Sequence, residues 1–155
     1  MARKGFVVAE EGHVVQLLTP QDLSAATSSE VFSMANWQHA SIICLRGAGS
    51  ASTIQVEECD DFTPTNAATM TFKYAYERTA AGDTLTALAT ATTAGIAHTT
   101  STGELLVIEI DADELSDGYE CVRIKCSAVG TSLSGWVAIL SGGRFQEDIT
   151  ATAIA

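Results

Sequence analysis

The sequence predicts an all-β protein: a single-domain antiparallel β-sandwich, jelly-roll-like, with one short N-terminal helix and extended terminal arms. Apolar and polar residues alternate in several short runs, which is the period of a half-buried strand. Clusters of turn-forming residues separate these runs at the short spacing typical of sandwiches and barrels. A chain of 155 residues is also long enough to bury one hydrophobic core.

The alternation is clearest in ATMTFKYAY, where Met70, Phe72, Tyr74 and Tyr76 share one face. The segments TIQVEE, LLVIEI and ECVRIKC predict three more strands of this kind. Two others, HASIICLRG and LSGWVAIL, are apolar on both faces and therefore need cover on both sides. We expect other subunits to supply part of that cover.

Weaker patterns predict the remaining elements. A helix is expected over residues 19–28, with Thr19 as its cap and Pro20 at its first position. A short strand is expected near residues 30–33, and another near residues 84–90, followed by a long loop. The GAG of residues 47–49 lacks the third glycine and the following helix of a dinucleotide-binding loop, so it predicts a hairpin turn.

The chain divides into an N-terminal arm of residues 1–12, a sandwich domain of residues 13–143 and a C-terminal arm of residues 144–155. Apolar residues near a free end need a partner that buries them. We therefore predict an interface at side chains in both arms and in one apolar strand. They are Phe6, Val7, Val8 and Phe145 in the arms, and Trp136, which belongs either to the core or to a subunit interface.

Charge excludes some partners. The formal net charge is −11, from 8 basic and 19 acidic residues, and the basic residues are scattered, so we expect no nucleic acid and no anionic membrane as partner. Charged residues make up only 17% of the chain, below the roughly 25% of a typical soluble domain, which suggests a surface that is either polar and neutral or covered by a partner. No apolar run reaches the ~18 residues of a membrane span or forms a signal peptide, so synthesis in a host cytoplasm is expected.

The stretch of residues 104–126 raises the question of a metal site. Counted from Asp111, an EF-hand would need an acidic or amide residue, glycine and glutamate where Leu115, Ser116 and Val122 stand. Asp111, Asp113 and Asp117 stay weak metal candidates, and we predict no bound metal and no cofactor. A helical turn followed by a tight turn at Gly118 is expected instead, as the solvated link of a core hairpin in which Glu109 pairs with a basic residue.

Nothing in the sequence indicates catalysis. The three histidines lie in unrelated contexts, and no GxSxG motif is present. The acidic run of Glu57, Glu58, Asp60 and Asp61 predicts a solvated loop rather than two carboxyls facing across a cleft. The four cysteines form no CxxC pair, and we expect them to be reduced, with Cys121 the one covered by a neighbouring subunit or left reactive. We therefore expect no enzyme.

Three motifs carry a resemblance to a known family: IDAxxL at residues 110–115, YxCVR at residues 119–123 and ILSGxRF at residues 139–145. With the upstream WQHASIICLRGAG, they resemble a family of small head structural proteins of tailed bacteriophages. The chain departs from it at Gly143, where the family often has proline.

The resemblance implies a capsid decoration (cement) protein on the exterior of the virion, with the major capsid protein as partner and a homotrimer as the simplest assembly. Two alternatives remain open at this stage. One is a phage tail or fibre adhesion module that binds a host glycan with Trp37 or tyrosines on an exposed platform. The other is a β-sandwich hydrolase or calcium-dependent lectin built on the carboxylates of residues 111–117.

Overall fold

A computed structural model describes residues 5–79, 81–98, 103–127, 131–144 and 152–155, and these form two antiparallel sheets packed face to face. Sheet A contains, in spatial order, β1 (His13–Asp22), β12 (Ser132–Ser141), β4 (His39–Gly49), β10 (Glu104–Asp111), β7 (Phe72–Glu77) and β8 (Ala89–Ala91). Sheet B contains β2 (Thr27–Ser28), β11 (Cys121–Cys126), β5 (Ser52–Cys59) and β6 (Ala67–Met70), with β3 (Phe32–Ser33) paired to β11 and β9 (Ile96–His98) paired to β5. The predicted all-β sandwich is confirmed.

Successive strands alternate between the sheets. The chain runs from β1 to β2 and β3, back to β4, across to β5 and β6, and later from β10 to β11 and back to β12. As a result β12 lies between β1 and β4, although both of these strands are far from β12 in sequence. Such pairing of distant strands is also found in jelly rolls. Two predicted hairpins are therefore wrong: the link from β10 to β11 and the link from β4 to β5 both cross between sheets. Residues 47–49 lie within β4 rather than in a turn.

The core fills the space between the sheets. In β4 and β10 every second residue points inward, because successive side chains of a strand alternate between faces. These strands contribute Ile42, Cys44, Ile108 and Ile110, each fully shielded from solvent. Trp136 of β12 is also fully buried, so the structure assigns it to the core.

The helix predicted over residues 19–28 is wrong. Pro20 lies in β1, which pairs with β12 and forms an edge of sheet A, where a missing N–H is tolerated. The register shifts on both sides of Leu18, and such bulges accommodate proline in a strand. The pairing with β12 outweighs the local capping signal. The helix that the structure contains is α1, Val8–Glu11.

The two weaker strand predictions had different outcomes. The strand expected near residues 30–33 is present as β3. The one expected near residues 84–90 is mostly wrong, because only Ala89–Ala91 pairs with a neighbour, on β7, and residues 82–88 are exposed. Small and polar side chains in this segment bury too little surface to hold a longer strand.

The described terminal residues differ in burial. Phe6 is 60% exposed and Val7 36% exposed. Near the other end, Ala153 is buried, and its carbonyl accepts a 2.8 Å hydrogen bond from the Ser33 N–H, so residues 152–155 lie against the sandwich. Phe145 lies outside the described residues, and the proposed domain boundaries stay predictions.

Candidate functional site

The candidate site lies on the outer face of sheet A. His39, Ser41, Ile43 and Leu45 of β4 point outward, since the residues between them are buried in the interior. This face has a polar end near His39 and an apolar end near Leu45. Six steps along the strand separate the two ends by about 20 Å.

The polar end is a network of hydrogen bonds. His39 Nδ1 lies 2.7 Å from Asp111 Oδ1, and His39 Nε2 lies 2.8 Å from Glu109 Oε2. The Ser41 hydroxyl donates to the same Glu109 oxygen over 2.6 Å. Lys73 Nζ lies 2.8 Å from Glu114 Oε1 and 3.5 Å from Asp111 Oδ2. We call these residues of β4, β7, β10 and the turn after β10 the polar network.

Ser41, His39 and Asp111 are the residue types of a Ser-His-Asp triad, and the Ser41 hydroxyl lies 3.3 Å from His39 Nε2. Burial alone would lower the pKa of His39, yet its hydrogen bonds to Asp111 and Glu109 outweigh burial and raise that pKa. Glu109 departs from the triad pattern, because it lies closer than His39 Nε2 to the Ser41 hydroxyl, at 2.6 Å, and also bonds His39 Nε2. A carboxylate at each ring nitrogen favours the charged imidazolium, which has no lone pair for a proton.

The three metal candidates are not brought together. The Asp111 carboxylate accepts hydrogen bonds from His39 and Lys73. The hydrogen bond from His39 is the main cause that lowers the pKa of Asp111. Asp113 and Asp117 are exposed, and no group of three or more potential metal-ligating residues occurs in the described ranges. The expected turn is confirmed: Ala112–Glu114 forms a 3-10 helix with a capping box on Asp111, and Gly118 has φ +89°.

The apolar end is a groove of about 600 Å³, which we call the apolar groove. Leu45 is 60% exposed and Leu133 is 58% exposed, which is unusual for leucines on neighbouring strands. The side chains that line the groove and carry the arguments below are Leu18, Pro20, Leu45, Leu105, Leu133 and Val137.

Beneath the groove, inside the sandwich, lies a buried charged cluster that the sequence interpretation missed. Arg46 Nε donates to Ser132 Oγ over 2.6 Å, and its Nη1 donates to the His98 carbonyl over 2.5 Å. Glu104 is the cross-strand neighbour of Arg46, and its Oε1 forms a salt bridge with Arg78 Nε over 2.9 Å. The alternation of side chains along a strand could have predicted this cluster, because it places Arg46 on the same inward face as Ile42 and Cys44.

His98 is fully buried in this cluster. Burial lowers the pKa of its imidazole to about 3, and the nearby charges of Arg46 and Arg78 act in the same direction. Neither ring nitrogen has a hydrogen-bond partner within the described residues, although Nε2 lies 3.5 Å from Glu104 Oε2. His98 is therefore neutral in the folded protein at ordinary pH.

The outer face of sheet B differs from that of sheet A. Arg123 and Lys125 of β11 bind Glu57 of β5 at 2.6 and 2.9 Å. The predicted pairing of Glu109 with a basic residue of β11 is wrong, because β10 and β11 belong to different sheets. The prediction of a solvated acidic run is also wrong for Glu57 and Glu58, which are buried in β5.

No tryptophan lies on the surface. Trp37 is 3% exposed and stacks on His13 with ring centroids 5.5 Å apart. The Trp136 ring is fully buried, and its Nε1 donates to Ser134 Oγ over 2.8 Å. Tyr74 and Tyr76 are partly buried and pack against the core. Trp37 therefore offers no exposed platform, and the adhesion alternative stays a prediction.

All four cysteines are free and buried. Cys121 lies on the outer side of sheet B, but it is covered by its own chain, between its strand neighbours Cys59 and Ser33. Burial is the main cause that raises the pKa of its thiol. The expectation that Cys121 needs a neighbouring subunit for cover, or stays reactive, is wrong.

Comparison with known proteins gives a relationship of fold. No protein-family model matches the sequence, and no curated protein matches it significantly. A crystal structure of the SPBc2 prophage-derived protein YomS is similar, with a TM-score of 0.53 and 9% sequence identity, over 84% of this chain and 94% of that chain. At that identity the likeness establishes a shared sandwich fold. None of the helices in the described ranges has the length and apolar character needed to cross a bilayer.

Proposed function

We propose that this chain is a non-enzymatic structural protein of a tailed bacteriophage. It decorates and stabilises the capsid as a homotrimer that binds the major capsid protein on the outer surface, between capsomers. The observation that carries the proposal is the uncovered apolar part of the outer face of sheet A, where Leu45 and Leu133 stand exposed on a rigid sandwich. A surface of this kind marks a site of protein association.

Two independent similarities support the phage context. The motifs at residues 110–115, 119–123 and 139–145 resemble those of phage head proteins. The fold resembles that of YomS, a prophage-derived protein. The residues of the polar network agree with a structural role, because His39 is bonded to a carboxylate at each of its ring nitrogens.

The avidity, charge and rigidity expected of a shell-binding protein agree with this proposal. Many copies bound to a lattice gain avidity, so each contact can be modest. A net charge of −11 prevents adhesion to the packaged genome. A rigid sandwich loses little conformational entropy when it binds.

The test mixes the purified protein with undecorated shells and measures bound copies and the temperature of shell disruption. We expect saturable binding and a higher disruption temperature. Deletion of residues 2–10 should abolish shell binding and preserve the circular dichroism spectrum of the sandwich. Wild-type protein that neither binds shells nor shifts their disruption temperature would refute the proposal.

A further inference from the structure

We infer that the apolar groove on sheet A binds the N-terminal segment Phe6, Val7 and Val8 of a second copy of this chain. The inference goes beyond capsid decoration and does not depend on it, because the contact forms between isolated copies. The arm is a short apolar segment preceded by basic residues. Its partner is an apolar groove with an acidic side chain at its rim.

The groove is open and shaped to receive a chain segment. Gly47 leaves the sheet surface bare beside the exposed side chains of Leu45 and Leu133, whereas Pro20 covers Gly135. A Cβ added at Gly47 would meet Leu133 atoms only at 3.7 and 3.8 Å, which is ordinary contact, so the space above this residue is free. A volume of about 600 Å³ falls in the range of pockets that enclose a ligand.

The arm supplies the matching chemistry. Phe6 is 60% exposed, Val7 is 36% exposed, and no residue of α1 is buried. Large apolar side chains left in water near a chain end gain free energy when another surface covers them.

Charge favours the same pairing. Arg3 and Lys4 directly precede the apolar segment in a chain with a net charge of −11. At the groove, Arg46 and Glu104 are buried beneath the surface, so the charged side chain at the rim is that of Glu77. A basic arm and an acidic rim attract each other, and the attraction disfavours the reverse orientation of the arm.

The chain's own arm does not fill the groove. Phe6, Val7 and Val8 do not line it, and Phe6 and Val7 are exposed. The arm lies instead at the other end of β12, where Gly12 lies beside Ile139 and Leu140. We therefore assign the segment that fills the groove to another copy.

Such a contact is heterologous, because the arm of one copy binds the groove of the next. A heterologous contact closes into a ring when its rotation permits and forms an open fibre when it does not. Three copies would close the trimer proposed above. Loss of the arm would then also weaken shell binding, because a monomer lacks the avidity of the ring.

The experiment measures the mass of the full chain by analytical ultracentrifugation over a range of concentrations. Two variants block opposite partners of the contact: Phe6→Asp places a charge on the arm, and Gly47→Val adds a branched side chain to the groove floor, where an added Cβ makes only ordinary contacts. We expect each to weaken association at least tenfold. The matched control Phe62→Asp alters an exposed phenylalanine in the loop after β5 and should associate like the wild type.

The decisive measurement mixes the two variants. Phe6→Asp retains an intact groove and Gly47→Val retains an intact arm, so the mixture should form dimers while each variant alone stays monomeric. If Gly47→Val does not fold, Leu45→Asp takes its place. A monomeric wild type, variants that assemble like the wild type, or a mixture that stays monomeric would each overturn the inference.

The shell experiment separates this inference from the proposed function. Protein that assembles by arm and groove but ignores shells refutes capsid decoration alone. A Phe6→Asp variant that assembles normally, yet no longer binds shells, refutes the groove and places the arm on the capsid.

Discussion

The outer faces of the two sheets differ in how far their side chains are satisfied within the chain. On sheet B, Glu57 is covered by Arg123 and Lys125, and the three side chains satisfy one another. On sheet A, Leu45 and Leu133 remain more than half exposed, and no described part of the chain covers them. The outer face of sheet B therefore carries charged side chains that already have partners, whereas the outer face of sheet A carries apolar side chains that no described residue covers.

The difference indicates where stability and association reside. A face whose polar groups already have partners gains little from contact with another molecule, because the exchange costs desolvation. An exposed apolar face gains with each Å² that is covered. Substitutions in the apolar groove of sheet A should thus change association and leave folding intact, while substitutions in the polar network, at Glu57 or in the core should change folding.

The largest expected effect contrasts the two sides of β12. Trp136→Ala should lower the free energy of unfolding by about 3–5 kcal/mol, because it leaves a large cavity in the core. Val137→Ala, on the outer side of the same strand, should cost less than about 1 kcal/mol. Urea denaturation of both variants measures the difference. Equal losses would contradict the assignment of inner and outer faces.

The next effect depends on pH and concerns His98. Its folded pKa of about 3 lies below the ordinary 6.5, so the unfolded chain binds the proton first. Stability is therefore lost as pH falls from about 6.5 toward about 3, with a slope of up to about 1.4 kcal/mol per pH unit. His98→Gln should flatten this slope in chemical denaturation curves. An unchanged slope would mean that His98 is not buried in its neutral form.

His39, on the outer face of sheet A, should show the opposite sign. Its pKa is raised, so its contribution to stability is complete below about pH 6.5 and is lost as pH rises through the folded value. His39→Gln should therefore destabilise the protein more under acidic than under alkaline conditions. NMR titration of the His39 ring gives the pKa directly, and a value below 6.5 would contradict the account of the polar network.

On sheet B, Glu57→Gln should cost about 1–2 kcal/mol, because Arg123 and Lys125 lose a charged partner while staying partly solvated. Glu120→Gln, at an exposed position beside the same strand, is the control and should cost less than about 0.5 kcal/mol. Thermal denaturation at neutral pH measures both. Similar melting temperatures for the two variants would show that the Glu57 cluster does not stabilise sheet B.

The smallest effect lies in the link between the sheets. Gly118 has φ +89°, and alanine there should cost about 1 kcal/mol through backbone strain, since nothing lies within 4 Å of an added Cβ. Gly47→Ala, in a strand position where an added Cβ makes only ordinary contacts, should cost less than about 0.5 kcal/mol. If the two variants give the same free energy of unfolding, the turn at Gly118 does not require glycine.

The strands and their inward faces could be predicted because side-chain alternation is a local property. Ile108 and Ile110 face the core as the pattern of LLVIEI indicates. The pairing of strands could not be predicted in the same way, since the same alternation suits a hairpin and a crossing between sheets. The capping signal at Thr19 failed for a related reason: the pairing of β1 with β12 outweighs local helix preference.

The candidate site was harder to predict because its residues come from distant strands. His39 meets Asp111 only because β4 and β10 are neighbours in exact register. The groove depends on Leu133, Leu45 and Pro20, which lie on three strands. Phe6 and Val7 are exposed because a short segment near a chain end has few neighbours to bury it, and the interface expected there stays a prediction.

Hydroxyl-radical footprinting of dilute and assembled protein tests the central claim, that copies associate through the outer face of sheet A. Leu45, Leu133 and the control Phe62 are all exposed in the isolated chain and report on the two sides of the sandwich. We predict that Leu45 and Leu133 lose their labelling on assembly while Phe62 keeps it. Protection of Phe62 with unchanged labelling of both leucines would contradict the account.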